Sequence, residues 1–149
     1  QTHKIMMNGE TVSLVHLPPA HTDTDIYLHF EKANVLQTGD VFFNGMFPYI
    51  DPGTGGSVSG MIAGATKLMA VADSNTKIVP GHGPLGNKAD VMKYRDMLST
   101  VRERLQKLKS AGKTMQEAVA AKPIDDLDSA WGKGLFNSAT FVQIAYPAL

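Results

Sequence analysis

The chain has 149 residues, and its 14 basic side chains balance its 14 acidic ones to zero net charge. That balance offers no basic surface for nucleic acid or an anionic membrane, and no apolar run approaches the roughly 20 residues needed to cross a bilayer. With no cysteine, disulfides, thiolate ligands and a thiol nucleophile are excluded, while the compartment of a soluble chain, cytoplasmic or periplasmic, stays open.

No secretory signal is present. The chain begins at Gln1 without an initiator methionine, which reads as a processed product, a mature form or a fragment. The length suits one α/β domain over 1–149 with a real core. "KIMM" and "TVSLVHL" flank "NGE", a turn between apolar runs that predicts a hairpin. "DIYLHF" alternates Ile26, Leu28 and Phe30 against Tyr27 and His29, a strand with one buried face. "VLQTGDVFF" predicts a further strand ending at Gly39-Asp40, and the Gly- and Pro-rich "GMFPYIDPGTGG" after it is a loop. From Ser57, a plausible N-cap, Met61, Ala65, Leu68 and Ala72 share one helical stripe. "TKIVPGHGPL" reads as a short strand entering a tight loop. Residues 88–149 read as mostly helical. Their clearest helix carries Val91, Tyr94, Leu98, Val101, Leu105 and Leu108 on one face and stops at Gly112. "TMQEAVAAK" opens on a capping box, Thr114 and Glu117, and a last helix holds Phe141 and Ile144.

Chemistry gathers at the strand ends. The second strand runs into His21, the fourth ends at Asp40, and the fifth ends at His82 within "PGHGP". Singly, each has a plain explanation: a solvated loop histidine, a turn aspartate, a histidine in a Gly-Pro turn. Together they form a set of metal-competent side chains on loops beyond apolar strands, where scaffolds usually carry function. Imidazole and carboxylate without thiolate suit zinc, iron or manganese. Gly81 and Gly83 remove bulk on both sides of His82. Asp23 and Asp25 either orient the His21 ring or cap the turn before "IYLHF". Phe47 and Tyr49 either wall a substrate pocket or cover the helix that begins at Ser57. Trp131 either lines a pocket or anchors packing.

"AHTDTD", "NVLQTGDVFFNG" and "KIVPGHGP", in that order and spacing, resemble the second half of the metallo-β-lactamase superfamily of metal-dependent hydrolases. The likeness runs from about residue 11 to at least residue 110. The resemblance implies an αββα sandwich of which this chain is the C-terminal half, with a mononuclear or dinuclear site at one edge of the sheets. It implies that His21 binds the first metal, Asp40 bridges, and His82 binds the second. The metal is zinc by that likeness, with iron or manganese as alternatives. The resemblance is nearest the branch with Asp, not Cys, at the bridging position, which includes lactonases and glyoxalase-like thioesterases.

One departure from the family pattern matters. The first-half motif His-x-His-x-Asp-His is absent, and the remaining histidines are His3, His16 and His29. Each metal is then left with two ligands, too few to hold it tightly or set its geometry. The expected function is therefore a fragment of a hydrolase that opens an ester, thioester, lactone or amide of a small-molecule substrate through a metal-bound hydroxide, the isolated chain being inactive. The alternatives are a non-catalytic α/β association module and an iron-dependent sulfur dioxygenase on the same fold. Half a sandwich also leaves a bare sheet face, with Leu28, Phe30, Val35 or Phe42 as candidates. The expected cover is the missing N-terminal half or a second copy in a homodimer.

Overall fold

The computed structural model describes residues 1–149. Strands β1 (Thr2–Met7) and β2 (Glu10–His16) form the expected hairpin. Asn8 and Gly9 between them have φ of 54° and 74°, the left-handed pair that a two-residue type I′ turn requires. β3 (Ile26–Phe30) pairs antiparallel with β2, and β4 (Val35–Gln37) antiparallel with β3. β5 (Lys77–Val79) lies parallel to β4, giving a five-stranded mixed sheet in sequence order.

A parallel pair needs a crossover, and helix α1 (Val58–Val71) supplies it. The Ser57 hydroxyl accepts from the Gly60 amide at 2.9 Å, the cap anticipated from sequence, and Met61, Ala65, Leu68 and Ala72 are buried. Helix α2 (Lys88–Ser110) buries Val91, Tyr94, Leu98, Val101 and Leu105. It opens on a reciprocal cap between Asn87 and Asp90. It closes at Gly112, φ 72°, where Gly112 N donates to Lys109 O and Lys113 N to Leu108 O, the Schellman arrangement. The short helices α3 (Met115–Ala120), α4 (Asp128–Trp131) and α5 (Ser138–Ala145) complete the helical tail. No helix is long and apolar enough to cross a membrane.

Three expectations need correction. The strand through "VLQTGDVFF" stops at Gln37, because Gly39 turns to φ 52° and residues Gly39–Val41 form a 3-10 turn. In β3 the alternation is real, but the residue sealed in the core is Tyr27, not Ile26, Leu28 or Phe30. Register explains this: Tyr27, Leu36 and Ile78 share the face that joins the helices in one buried cluster, and Leu28 and Phe30 face the other way. Phe42 lies beyond the sheet and is fully buried within that same cluster, so it is no part of the bare face. On that bare face Val12 is buried between Ile5 and Phe30, its partners on either side, and it stands outside the main cluster.

Candidate metal centre

Asp40 sits on the 3-10 turn that follows β4, and His82 on the loop that follows β5. Adjacent parallel strands end at the same edge of a sheet, so both side chains emerge there. Thr38, fully buried, fixes the turn: its amide and hydroxyl both donate to the Val79 carbonyl, at 3.0 and 3.2 Å. Across the gap Asn44 N donates to His82 O at 2.9 Å. Gly81 is required by close approach, because a Cβ there would collide with the Asp40 carboxylate and the Gly39 carbonyl. Gly83, at φ 95°, has no room for a Cβ beside the Asn44 carbonyl.

His21 arrives from the loop between β2 and β3. Two backbone bonds stitch that loop to the next, Ser57 N to Ala20 O and Asp51 N to His21 O, and Ala20 N donating to Thr22 O tightens the loop itself. Gly56 packs on the His21 carbonyl where a Cβ would clash. The sequence reading missed this role for Gly56, and "GTGG" was its only signal.

The three side chains meet. His21 Nε2 lies 3.5 Å from Asp40 Oδ2, and His82 Nε2 lies 3.5 Å from Asp40 Oδ1. One carboxylate thus turns one oxygen to each imidazole. The His21 ring is oriented by its other nitrogen: Nδ1 is 2.9 Å from the Tyr49 carbonyl oxygen. A carbonyl only accepts, so Nδ1 carries the hydrogen and neutral His21 presents a bare Nε2 to Asp40. The Phe43 ring stacks on His82 at 4.7 Å and 15° and lies 6.4 Å from His21, a shared apolar floor. The side chains of His21, Asp40 and His82 are 17%, 36% and 44% exposed, so the site opens to solvent.

A separation of 3.5 Å is long for a charge-assisted hydrogen bond, which falls near 2.7–2.9 Å. Two ligands at about 2.0–2.1 Å from one tetrahedral metal stand about 3.4 Å apart. The donor spacing therefore fits a metal between each imidazole and its carboxylate oxygen. No three or more His, Asp or Glu side chains group around a single point.

The remaining sequence candidates divide. Tyr49 is at the site: its carbonyl holds His21, and its ring, 43% exposed, lies 5.9 Å from the His21 ring. Phe47 is not a pocket wall. It is fully buried, stacked on Phe141 at 4.6 Å, because the loop carrying it is clamped by Phe47 N donating to Trp131 O. Trp131 is likewise a packing residue beside Tyr94. Asp25 does not orient His21. Its carboxylate accepts from the Thr22 amide at 2.9 Å, closing the turn before β3. Asp23 is exposed and offers the protein only its carbonyl, to His16 Nε2. The carbonyl of Tyr49 has taken the role expected of these carboxylates.

With fold and site in view, the relationships of the chain are plain. Residues 3–103 match the sequence profile described as the Metallo-beta-lactamase superfamily, and the chain belongs to that superfamily. Its members bind metal ions and are hydrolase-like. Among solved structures the chain is similar to a metallo-beta-lactamase from Pontibacter korlensis, with 13% identity, a TM-score of 0.58, and 66% of this chain covering 46% of that one. It is similar to the BLEG-1 B3 metallo-beta-lactamase, with 24% identity, a TM-score of 0.53, and coverage of 64% and 44%. A third, TTHA1623 in a di-iron-bound form, shows 23% identity, a TM-score of 0.45, and coverage of 57% and 40%. The chain thus spans less than half the length of the solved structures it matches. No curated protein matches it.

Proposed function

We propose that this chain carries one half of the metal site of a hydrolase acting on an ester, thioester, lactone or amide. His21 and Asp40 would hold one metal and Asp40 and His82 a second. The observation that carries the reading is the Asp40 carboxylate set between two imidazole nitrogens at equal distances of 3.5 Å. Nitrogen and oxygen donors without sulfur suit zinc first, with iron or manganese as alternatives. Bound there, the metal supplies Lewis acidity toward a carbonyl and lowers the pKa of a water.

The residues of the chain perform the rest. Tyr49 O fixes the His21 tautomer, the Phe43 ring excludes water from beneath both imidazoles, and the Tyr49 ring forms one side of the approach. The remaining ligands belong to a second sheet-bearing half packed on the open face of the sheet. The chain by itself is therefore a weak metal binder and inactive.

Titration of the chain with zinc, followed calorimetrically, tests the reading. Weak binding that disappears in His82→Ala and in Asp40→Ala is expected. Tight retention in the presence of a mild chelator would refute the half-site, and so would turnover of a lactone, thioester or β-lactam by the chain alone. In a complete enzyme bearing the missing ligands, either substitution should lower kcat/KM by more than about 100-fold, beyond what loss of a ligand's outer partner costs.

A further inference from the structure

The loop from Asn44 to Ser57 is held between two segments of the chain. On one side it carries His21: Tyr49 O accepts from His21 Nδ1 at 2.9 Å, and Asp51 N donates to His21 O at 3.0 Å. On the other side lies the helical tail. Phe47 N donates to Trp131 O and, just past the loop, Val58 N to Ala148 O, each at 3.0 Å. The Phe47 ring stacks on Phe141 at 4.6 Å, and the Tyr49 ring lies 6.3 Å from that of Phe136. Gly134 sits so close to Met46 that a Cβ there would come within 2.5 Å of the Met46 Cβ. The matched family profile ends at residue 103, so these contacts come from beyond that likeness. The segment Trp131–Ser138 is tied down at both ends. Trp131 packs beside Tyr94. Ser138 is buried, its amide bonded to Asp128 and its hydroxyl 2.7 and 2.9 Å from the Asp125 and Asp128 carboxylates. Only Pro48 separates Phe47, whose amide the segment holds, from Tyr49, whose carbonyl orients His21. Its ring fixes φ, so a displacement at Phe47 is passed to the Tyr49 carbonyl.

We propose that Trp131–Ser138 is a positioning strap. Bonded to Phe47 and packed on Met46 and Tyr49, it holds the Tyr49 carbonyl against His21 and so fixes which nitrogen of His21 faces Asp40. It acts from the far side of the loop and touches neither metal nor substrate. Its consequence for metal affinity rests on the function proposed above; the claim about the His21 ring does not.

Imidazole nitrogen-15 NMR on the whole chain, at a pH where histidine is neutral, tests it. Wild-type His21 should show a single tautomer with a slowly exchanging hydrogen on Nδ1. Gly134→Ala sets a methyl against the Met46 Cβ and should push the strap off the loop. His21 should then lose its single-tautomer signature, and its Nδ1 hydrogen should exchange about tenfold faster or more. The His82 ring, set by its stacking on Phe43, should move less. Zinc affinity should fall several-fold. Adding Met46→Gly removes the obstructing Cβ and should restore the His21 signature, whereas a fold that was merely destabilised would lose further from a second glycine-type change. Phe136→Ala, which takes the ring off Tyr49, should act in the same direction with smaller effect. Unchanged His21 signals in both Gly134→Ala and Phe136→Ala would overturn the proposal, as would a wild-type His21 with its hydrogen on Nε2. That wild-type measurement decides even if Gly134→Ala fails to fold. A His21 signature that follows the strap in a chain that binds no zinc would uphold the strap and count against the metal-site reading.

Discussion

The two faces of the sheet carry comparable apolar side chains under different conditions. On one, Tyr27, Leu36 and Ile78 are sealed with the helices in a single cluster of 28 buried residues. On the other, Ile5, Met7, Ile26 and Val79 stay 37%, 57%, 41% and 36% exposed, beside half-buried Leu28, Phe30 and Val35. A soluble surface rarely keeps so continuous an apolar face uncovered. The difference teaches that composition does not tell which face of a strand is core; what packs against it does.

Truncations on the two faces give the largest expected contrast. Leu36→Ala or Leu98→Ala removes a fully buried side chain and should cost about 2–5 kcal/mol in urea unfolding. Leu28→Ala on the open face should cost less, about 1 kcal/mol, since the side chain is only partly buried. Equal costs would erase the distinction between the faces.

Association comes next. The chain alone should self-associate with concentration in light scattering and bind an apolar-surface dye, with a second copy covering the open face. Leu28→Lys combined with Phe30→Glu should abolish both signals without lowering the unfolding midpoint much. A monomer that ignores the dye at high concentration would show that this face needs no cover.

On the covered side, Asn87→Ala removes the acceptor for the Ala89 and Asp90 amides at the start of α2. It should cost about 1 kcal/mol, and thermal unfolding would register it.

The smallest effect belongs to the exposed edge. Glu10 is held below the usual carboxylate range chiefly by the Lys32 amide, and Glu31 by the Lys4 ammonium and then the Ser13 hydroxyl. Folding therefore favours their ionised forms. Their contribution is present above the unfolded pKa of about 4.3 and is lost as pH falls through the lower folded values. The protection of β1 amides, taken relative to the intrinsic exchange rate at each pH, should fall on acidification through that window, and less so in Glu10→Gln and Glu31→Gln. A pH-independent edge would remove these carboxylates from the account.

Much of the helical layer was legible because its signals are local. The stripe of α1, the caps at Ser57 and Thr114, and the stop at Gly112 each lie within a few residues. Asn87 with Asp90 three positions on was legible by the same rule and was not used. His21, Asp40 and His82 stood out as chemistry at strand ends; that they share one site was implied by the resemblance of their motifs, since the loop bonds that bring His21 across leave no local mark. The misreadings involve distance or backbone. Phe47 is buried by Phe141, 94 positions away in the chain, and no local pattern announces such a partner. The orientation of His21 comes from a carbonyl, which every residue type possesses.

The parallel pairing of β4 with β5, in the register Val35 with Lys77, Leu36 with Ile78 and Gln37 with Val79, has a consequence for fidelity. A slip of one residue would turn Leu36 or Ile78 from the core to the open face. A slip of two would restore the faces but shear Asp40 from His82 by roughly 6.6 Å, two strand residues of rise, and would break the Thr38 clasp on Val79. No nearby misregistration keeps both core and site. Packing and clasp thus check each other, so a chain that has buried Leu36 and Ile78 and closed Thr38 onto the Val79 carbonyl has already aligned Asp40 with His82.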